Sequence, residues 1–380
     1  MLDFSLSEEH QELVRTARRF AKERLIPVAP ECDREARFPL DVFQAAWEAG
    51  LVNVTLPAEY GGAGLGELEN AMVTEELAYG CSGITTSILA NGLALTPVKL
   101  AGNEEQKRKY LGMLASEPLL ASYCTTEPAA GSDVAGLKTT FRQVGDDYVL
   151  NGQKCWITNA SYASFYVVFA TSNPDTRHKG IAAFIVDRAS PGVTVGKHED
   201  KMGQRASDTA QVFFEDVKVP KANLLAPEGK GFKLAMETFN QTRPDIGAMA
   251  TGVMRRCLEE CVAYAKERQT FGKAIAEHQM VQWMLAEMAI RVEGTRLLYQ
   301  KAAWNLDNGV RDPIVSSFAK AYGADSAMAT AVDAVQVFGG NGYVKEYPVE
   351  KLMRDAKVLQ IYEGTSQIQR MVIAKSLLGG

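Results

Sequence analysis

The sequence predicts an α+β protein in which a central β domain separates two helical regions. Apolar residues recur at helical spacing in residues 1–120, alternate as in strands in residues 121–230, and return to helical spacing in residues 231–380. A block of helices, a block of strands and a second block of helices favour α+β over α/β architecture. We therefore expect three domains with these bounds, a number that fits a chain of 380 residues.

In the N-terminal region, two segments carry clear helix-end signals. Ser7 begins an amphipathic run, SEEHQELVRTARRFAKERLIPVA, and is suited to cap the N-terminus of a helix. The run ELENAMVTEELAYG ends at Gly80, and glycine commonly ends a helix because it readily adopts the left-handed conformation. The almost uncharged segment GITTSILANGLALTPVKLAG follows.

In the central region, the pair Asn151-Gly152 lies between two alternating runs in DDYVLNGQKCWITNA. Asn-Gly favours the two-residue turns of β-hairpins, so this position predicts a tight hairpin. Further strands are predicted for SFYVVFATS, GIAAFIVDR, GVTVGKHED and TAQVFFEDVKV. This succession of short strands is the basis of the predicted β domain.

In the C-terminal region, three long helices are predicted. The apolar face of the first consists of Met249, Val253, Cys257, Cys261 and Tyr264. The second is predicted to end at Gly309, and the third to cover PIVSSFAKAYGADSAMATAVDAVQVFGG.

Composition and charge exclude several classes of protein. The net charge is -5 without strong asymmetry of sign, so nucleic acid is not an expected partner. No apolar run approaches membrane-spanning length, so no membrane association is expected. The start, MLDFSLSEEHQELV, has neither the basic region nor the apolar core of a signal peptide. We expect a cytoplasmic bacterial protein, or a mitochondrial matrix protein if this is a processed chain.

The cysteines and histidines argue against a metal site. The six cysteines form no CxxC pair, and only four histidines are present. Cys257 and Cys261 are four residues apart in a predicted helix, as expected for small buried side chains. We expect the thiols to be free and the compartment to be reducing.

The segment FGGNGY, residues 338–343, resembles a phosphate-binding loop at first sight. A dinucleotide-binding loop follows a strand and precedes a helix. Here a predicted helix precedes the glycines, and an extended segment with Pro348 follows them. The pattern therefore predicts a helix terminus, whose backbone N–H groups could still face an anion.

Three further segments each have a structural and a ligand-binding interpretation. TTEPAAGSDVAG, residues 125–136, is either a solvated connection or a loop that holds a polar ligand. Trp156 in KCWITNA is either a core residue or a flat wall for a conjugated ring, with Thr158 donating to its rim. Arg268 and Lys273 in ERQTFGKAIAEHQM are either a charge pair at a helix end or include a guanidinium fixed beside a pyrophosphate.

One carboxylate, Glu363 in QIYEGTSQIQR, lies between Tyr362 and a Gly-Thr-Ser turn. It is either a surface charge at a helix start, where a carboxylate is stabilised, or a buried base. A base near an aromatic ring and away from water is expected to have a raised pKa.

Five segments together resemble the motifs of the acyl-CoA dehydrogenase family, and the resemblance covers nearly the whole chain. In chain order they are YCTTEPAAGSDVAG, ERQTFGK, EHQ, QVFGGNGYVKEYPVEKLMRD and IYEGTSQIQ. The sequence is most similar to the medium-chain and short-chain members. Thr125 departs from the first motif, which usually has an aliphatic residue there, but backbone atoms matter most at that position.

The resemblance implies an N-terminal helical domain, a middle β-barrel-like domain and a C-terminal four-helix bundle, assembled as a homotetramer. It implies FAD bound between the β domain and the bundle, with Thr158 near flavin N5. Arg268, Thr270 and Phe271 are expected to come from a neighbouring subunit. The cofactor-binding residues that it implies are Tyr123, Thr125, Thr126, Gly131, Ser132, Trp156, Ile157, Thr158, Arg268, Thr270, Phe271, His278, Gln279, Gln336, Gly339, Gly340, Thr365 and Gln367.

The resemblance also implies a reaction, the α,β-dehydrogenation of an acyl-CoA to the trans-2-enoyl-CoA. Glu363 is expected to take the α-proton and flavin N5 the β-hydride. The thioester oxygen is expected to be held by a ribityl hydroxyl and the backbone N–H of Glu363. Electrons are expected to pass to an electron-transferring flavoprotein. The implied substrate contacts are Leu89, Ser132, Asn240, Arg243, Ile246, Tyr362 and Gly364, with Asn240 where medium-chain relatives have Asp.

The acyl pocket is expected to accept an uncharged chain. Residues 81–97, one wall of the pocket in relatives, contain no charge, and a carboxylate buried there without a partner would be costly. Leu89 stands where medium-chain relatives carry Glu, so a more apolar floor is expected. Thr242 occupies the position where isovaleryl-type and long-chain relatives place their base, and a hydroxyl cannot replace that base. Branched and cyclic acyl groups stay open.

Three alternatives share the same scaffold. A short acyl-CoA oxidase would use O₂ as acceptor, although typical oxidases are much longer chains. A flavin-dependent monooxygenase would not need Glu363 and would consume a separate reduced flavin. A non-catalytic helical scaffold would have kept the fold without binding flavin.

Overall fold

The computed structural model describes residues 5–310 and 312–379. Within these ranges helices come first, an eight-stranded sheet follows, and long helices follow the sheet. This arrangement confirms the predicted α+β class. No helix in the described ranges is long and apolar enough to cross a membrane.

The N-terminal helices pack around one long helix that is broken near its middle. They are α1 (Glu8–Phe20), α2 (Ala29–Glu35), α3 (Leu40–Glu48), α4 (Glu67–Ala101) and α5 (Glu104–Ser116). Ser7 caps α1 as predicted, since its hydroxyl accepts a hydrogen bond from the His10 N–H at 3.2 Å. The predicted end at Gly80 corresponds to a break at Cys81 (φ -162°, ψ 107°), after which α4 resumes immediately.

The strands form one sheet in the order β6-β7-β3-β2-β4-β5-β8, with β1 parallel beside β4. They are β1 (Leu120–Cys124), β2 (Thr140–Val144), β3 (Asp147–Thr158), β4 (Ala163–Thr171), β5 (Ile181–Asp187), β6 (Val193–His198), β7 (Thr209–Val219) and β8 (Leu224–Ala226). Strand β4 is buried on both faces. Phe165 packs toward α5, where its ring centroid is 4.9 Å from that of Tyr110, while Tyr166 packs into the cluster under β3 and β7.

The predicted hairpin at Asn151-Gly152 is wrong, because β3 runs through this pair without a turn. The β2–β3 hairpin turns instead at Gly145-Asp146, where Gly145 has φ 64°. Asn151 lies at a bulge in the β3–β7 pairing. Its side chain donates to Asp216 Oδ1 at 3.0 Å and accepts from the Asp216 N–H at 2.9 Å. Asn and Gly serve bulges and turns alike, so the dipeptide alone does not distinguish them.

The long helices after the sheet form the predicted bundle. They are α6 (Gly231–Glu267), α7 (Gln279–Asp307), α8 (Pro313–Phe338), α9 (Val349–Leu359) and α10 (Ser366–Leu377), with a small hairpin, β9 (Gln269–Thr270) and β10 (Lys273–Ala274), between α6 and α7. Helices α6, α7 and α8 pack on one another, and α10 packs on α8. All six cysteines are buried and free, as predicted. The FGGNGY segment ends α8 at Phe338, with Gly339 at φ 61°, which confirms a helix terminus.

A buried charge network joins the N-terminal helices to this bundle. Glu75 on α4 accepts from Arg255 on α6 at 2.6 Å and from Tyr299 on α7 at 2.6 Å. Arg296 on α7 donates to the same carboxylate at 2.9 Å. Close approach of the two longest helices is possible because Gly252 lies where a Cβ would be 2.3 Å from the Glu75 carbonyl oxygen.

A second buried ion pair fixes the loop between β1 and β2. Lys154 on β3 is fully buried, and its Nζ donates to Glu127 Oε1 at 2.7 Å and to the Thr125 carbonyl at 3.1 Å. Glu127 also accepts from the N–H groups of Lys138 (2.5 Å) and Thr139 (2.9 Å). Burial raises the pKa of the Glu127 carboxyl, but Lys154 and these hydrogen bonds outweigh it and lower the pKa overall. The carboxylate therefore closes both ends of the loop.

We predict that Lys154→Met destabilises the fold by about 3–5 kcal/mol, since removal of one partner leaves a buried charge uncompensated. Urea unfolding at neutral pH measures this free energy. The matched double variant Lys154→Met/Glu127→Leu should recover much of the loss, because it removes both charges. Equal losses in the single and the double variant would contradict the ion-pair explanation.

Candidate active site

Glu363 lies in a strained turn between α9 and α10. It has φ 56°, and Gly364 after it has φ 83°. A non-glycine residue in the left-handed region costs about 1–3 kcal/mol, so the surroundings must hold the turn. Thr365, not Glu363, caps α10, since Thr365 Oγ1 accepts from the Ile368 N–H at 3.1 Å. The interpretation of Glu363 as a surface charge at the start of a helix is therefore wrong.

Two buried side chains hold the carbonyl groups of this turn. Lys320 on α8 is fully buried, and its Nζ donates to the Gly364 carbonyl at 2.6 Å. Gln369 on α10 donates through Nε2 to the carbonyls of Glu363 (3.1 Å) and Gly364 (3.0 Å). A Cβ at position 364 would lie 2.7 Å from this Nε2, so only glycine fits without displacement.

The Glu363 carboxylate has one hydrogen-bond donor and two nearby cations. Thr242 Oγ1 on α6 donates to Glu363 Oε2 at 2.7 Å. Burial raises the pKa of Glu363, and the opposing effects of Thr242, Arg243 and Lys320 do not cancel it. The direction agrees with the prediction. Tyr362 is not the partner, because its hydroxyl is directed to Met249 Sδ at 3.1 Å.

Tyr123 and Thr125 carry buried polar atoms on the sheet side of the site. The Tyr123 ring packs on Phe239 of α6 with ring centroids 5.5 Å apart, which links the sheet to the helix that carries Thr242. Burial raises the pKa of Tyr123, and the Glu363 charge adds to this. Tyr123 Oη and Thr125 Oγ1 have no hydrogen-bond partner among the described residues.

Trp156 is exposed and is not a core residue. It has φ 58° and lies at a second bulge, between Lys154 and Ile157, in the pairing of β3 with β7. The bulge turns its side chain outward, where 60% of the residue surface is exposed, while Ile157 points into the core. The strand stays anchored beside it, because the Thr158 carbonyl accepts from Ser122 Oγ at 2.8 Å.

A separate group of predicted cofactor residues lies at the other end of α6. Phe271, on the β9–β10 hairpin, is 97% exposed with φ 51°, and its ring contacts His278. Thr270 Oγ1 is 3.2 Å from His278 Nε2. Arg268 is exposed. It follows Arg243 by 25 positions along α6, which corresponds to about 38 Å along the helix axis. These side chains therefore do not meet Glu363 within one protomer.

The remaining predicted residues divide between these two places. Gln336, Gly339 and Gly340 lie at the C-terminal end of α8, where Tyr264 Oη donates to the Phe338 carbonyl at 3.4 Å, and Gln279 begins α7.

Near Glu363, Asn240 Oδ1 accepts from Arg243 Nη1 at 2.7 Å, and Ile246, Leu89 and Tyr362 share one apolar cluster. Thr126 accepts from the Cys155 N–H at 3.0 Å, Gly131 and Ser132 are exposed on the β1–β2 loop, and Gln367 is exposed on α10.

A cavity begins at Thr242 and extends between α4, α6 and the α3–α4 connection. Leu89 lines it together with Ile88 and Leu95. The sequence did not indicate that α6 also places a carboxyl, Asp245, in this lining. The signal in the sequence was the three-residue spacing between Thr242 and Asp245, which places both side chains on the same face of a helix.

Three further residues of structural importance to the site were missed. Lys320 is the single charged residue in PIVSSFAKAYGA, which was the signal for a buried cation. Gln369 is the last residue of the recognised motif IYEGTSQIQ, two residues after Gln367. Asp355 is fully buried on α9 and accepts from the Gln204 N–H at 2.5 Å, Ser82 Oγ at 3.1 Å and Lys351 Nζ at 2.6 Å. It therefore ties α9, and the turn after it, to α4 and to the segment before β7.

The residues on the sheet side fit a flat, polar cofactor such as FAD. Buried polar atoms normally have partners, so Tyr123 Oη and Thr125 Oγ1 indicate ligand contacts. The exposed Trp156 offers an aromatic face beside them, and a Cβ at Gly131 would meet nothing within 4 Å. No group of three or more His, Cys, Asp or Glu in the described part of the chain could hold a metal ion.

Comparison with known proteins gives matches along the chain. Three family models match: "Acyl-CoA dehydrogenase, N-terminal domain" at residues 7–118, the middle domain at 122–217 and the C-terminal domain at 229–378. A Caenorhabditis briggsae protein, "Probable medium-chain specific acyl-CoA dehydrogenase 2, mitochondrial", is 48% identical over 100% of this chain and 92% of its own length.

Two solved structures superpose over nearly all of the chain. Butyryl-CoA dehydrogenase from Megasphaera elsdenii is 37% identical with a TM-score of 0.97, covering 99% of this chain and 100% of its own. A chain from a study described as "Electron transferring flavoprotein of Acidaminococcus fermentans: Towards a mechanism of flavin-based electron bifurcation" is 41% identical, with a TM-score of 0.97 and complete coverage of both chains.

We predict that Lys320→Met raises the pKa of Glu363 further, because it removes a cation that favours the carboxylate. It should also cost about 1–3 kcal/mol of stability, since the Gly364 carbonyl loses its partner. Infrared difference spectra across a pH series measure the first effect, with Glu363→Gln identifying the carboxyl band. Urea unfolding measures the second.

Lys320→Arg is the matched control, because it keeps the charge near the turn. An unchanged titration of the Glu363 band in Lys320→Met would show that Lys320 does not act on the carboxylate.

Proposed function

The chain belongs to the acyl-CoA dehydrogenase family, and from that premise we propose that it oxidises an uncharged acyl-CoA to the trans-2-enoyl-CoA with Glu363 as the base. It is an FAD-dependent oxidoreductase, as are the enzymes of this family. The observation that carries the proposal is the Glu363 carboxylate, half-buried, fixed by Thr242 at 2.7 Å and with a raised pKa. A raised pKa suits a base that must take a weakly acidic proton.

The surroundings of Glu363 support removal of an α-proton. The hydrogen bond from Thr242 orients one carboxylate oxygen, which leaves the other free to face the substrate. Among the described residues, the Glu363 backbone N–H has no hydrogen-bond partner, so it can donate to a thioester oxygen and stabilise the charge that develops there. After proton transfer the carboxyl is neutral, and its proton must reach solvent before the next turnover.

FAD, when bound, supplies the acceptor for the β-hydride. In the proposed site, Tyr123, Thr125, Thr126 and Trp156 of one protomer would hold it. We propose that Arg268, Thr270, Phe271, Gln279 and the Gln336–Gly340 segment serve the site of a neighbouring protomer. The reason is that Arg268, at the end of α6, is about 38 Å along that helix from Arg243.

A homotetramer would bring these two groups together. Helix α7 carries an exposed apolar stripe at every seventh residue, Trp283, Ile290, Leu297 and Trp304, each more than half exposed. A repeat of seven places these side chains along one face, which is the pattern of helices that pair with other helices. We infer that a second copy of this chain covers the stripe.

We propose an electron-transferring flavoprotein as the acceptor of the electrons. The support is the full-length likeness to a chain from the Acidaminococcus fermentans study of such a flavoprotein. The free, buried cysteines support a reducing compartment.

Glu363→Gln tests the proposed base. Glutamine keeps the volume but cannot accept the proton, and loss of a general base commonly slows a reaction by about 10²–10⁴-fold. We expect anaerobic flavin bleaching by butyryl- or octanoyl-CoA to slow by at least this factor in stopped-flow measurements. The wild-type rate should rise with pH as Glu363 loses its proton, with a midpoint above the usual value of about 4.3.

The stability of the variant provides the control. A raised pKa in the folded state means that Glu363 favours folding at low pH and opposes it above that pKa. At neutral pH, Glu363→Gln should therefore unfold no more readily than the wild type and keep its flavin. Bleaching within tenfold of the wild-type rate would rule out Glu363 as the base.

Leu297→Asp tests the assembly. A charge in the apolar stripe should dissociate the tetramer. FAD retention should then also fall, because the site would lose Arg268, Thr270 and Phe271 of the neighbouring protomer. Light scattering gives the mass, and flavin absorbance gives the FAD content. Val144→Asp, an exposed apolar position on β2, is the matched control and should change neither. A Leu297→Asp protein with unchanged mass and FAD content would contradict the inferred interface.

A further inference from the structure

The cavity beside the proposed base, Glu363, has both polar and apolar residues in its lining. Its lining from α4 and the α3–α4 connection combines apolar residues, among them Leu89 and Leu95, with the polar residues Thr55, Glu67, Asn70 and Thr74. Thr242 and Asp245 of α6 complete it. Thr242, which donates to Glu363, is one of the lining residues, so the cavity adjoins the proposed base.

Asp245 is a buried carboxyl without an ion pair in this cavity. It is 7% exposed, and its Oδ1 accepts from Asn70 Nδ2 at 2.9 Å. Its second oxygen has no hydrogen-bond partner within residues 5–310 and 312–379. The nearby cation, Lys99, is bound elsewhere, to Thr55 Oγ1 at 2.9 Å and to Glu67 Oε1 at 3.4 Å.

Asp245 is therefore expected to be neutral in the folded protein. Burial raises its pKa well above the ordinary value, and the charges of Glu67 and Glu363 add to the effect. The Asn70 amide already donates to Oδ1, so the proton resides on the second oxygen, which then has an O–H to donate. A buried donor left unpaired is destabilising, and a plain alkyl chain offers it no acceptor.

The chemistry of this group favours one kind of partner. A carboxylate on the substrate would be buried beside Glu67, and Lys99, the nearby cation, is already bound to Glu67 and does not compensate it. An ammonium would need Asp245 to be ionised, which burial opposes. A hydroxyl can accept from the carboxyl O–H and is uncharged, so it satisfies the donor without a desolvated charge.

The spacing on α6 places this group a short way beyond the reacting bond. Asp245 follows Thr242 by three residues, which puts both side chains on one helix face about 4.5 Å apart along the axis. A hydroxyl on a short acyl chain is within reach of such a position.

We propose that Asp245 and Asn70 form a polar subsite in the acyl pocket and select an acyl-CoA whose chain carries a hydroxyl group. This inference rests on the proposed dehydrogenation, because it concerns the substrate of that same site. Asp245 is a specificity-determining residue and takes no part in proton or hydride transfer.

A panel of paired substrates tests the subsite. Each saturated acyl-CoA of four to eight carbons is compared with its terminal hydroxy derivative and its terminal amino derivative, and anaerobic flavin bleaching gives kcat/KM. For the wild type, the hydroxy compound of the best length should exceed its plain counterpart by roughly 10–100-fold. In Asp245→Val that ratio should fall to one or below.

Asp245→Asn separates hydrogen bonding from shape, because it keeps the volume and a donor, and it should retain a preference for the hydroxy compound. Flavin content and thermal unfolding confirm that each variant is folded. A wild-type enzyme that prefers the plain chains at every length, or an equal ratio in wild type and Asp245→Val, would overturn the subsite. A clear preference for the amino compounds would overturn its assignment to a hydroxyl.

The panel also distinguishes the two proposals. If no acyl-CoA of any kind bleaches the flavin, the proposed dehydrogenation itself fails, and the subsite with it. If plain acyl-CoAs bleach it rapidly and the hydroxyl makes no difference, only the subsite fails.

Discussion

The structure depends on keeping one strained turn in place inside a packed helical bundle. Glu363 and Gly364 both have positive φ, and a turn of this kind persists only where its surroundings fix it. Lys320 and Gln369 do so by donating to the two carbonyls, at 2.6 Å and 3.0–3.1 Å. Asp355 holds the preceding helix against α4. The packing of α8, α9 and α10 thus sets the position of a single carboxylate.

Helix α6 relates that carboxylate to the rest of the molecule. Near its beginning it supplies Thr242 to the carboxylate and Asp245 to the cavity, and its end leads to the exposed Phe271 hairpin. One helix therefore serves two places that are about 38 Å apart along its axis. The burial of Asp245, like that of Glu363, makes ionisation costly, so both carboxyls, one bonded to Thr242 and one three residues beyond Thr242 on α6, have raised pKa values.

The local pattern of the chain was enough to predict most of the elements, but not every turn. Helical and strand periodicity predicted the α+β class, and the predicted helix before FGGNGY correctly indicated that this segment is a helix terminus. Asn151-Gly152 was misjudged because asparagine and glycine suit a bulge as well as a turn. A bulge forms here because the Asn151 side chain hydrogen-bonds to Asp216 on β7. A partner so distant in sequence leaves no local signal.

The sequence by itself determined the family motifs, the free thiols and Glu363 as the candidate base. Those follow from residue types and their order. Only the tertiary structure decided what surrounds that base: Lys320, Gln369 and Thr242 come from separate helices, and their contacts depend on packing. The same holds for Asp245, because burial and the charges of Glu67 and Glu363, not the residue type, raise the pKa of its carboxyl. The charge-free residues 81–97 predicted an apolar pocket, whereas Glu67 and Asn70 at the start of α4 and Asp245 on α6 make the lining polar.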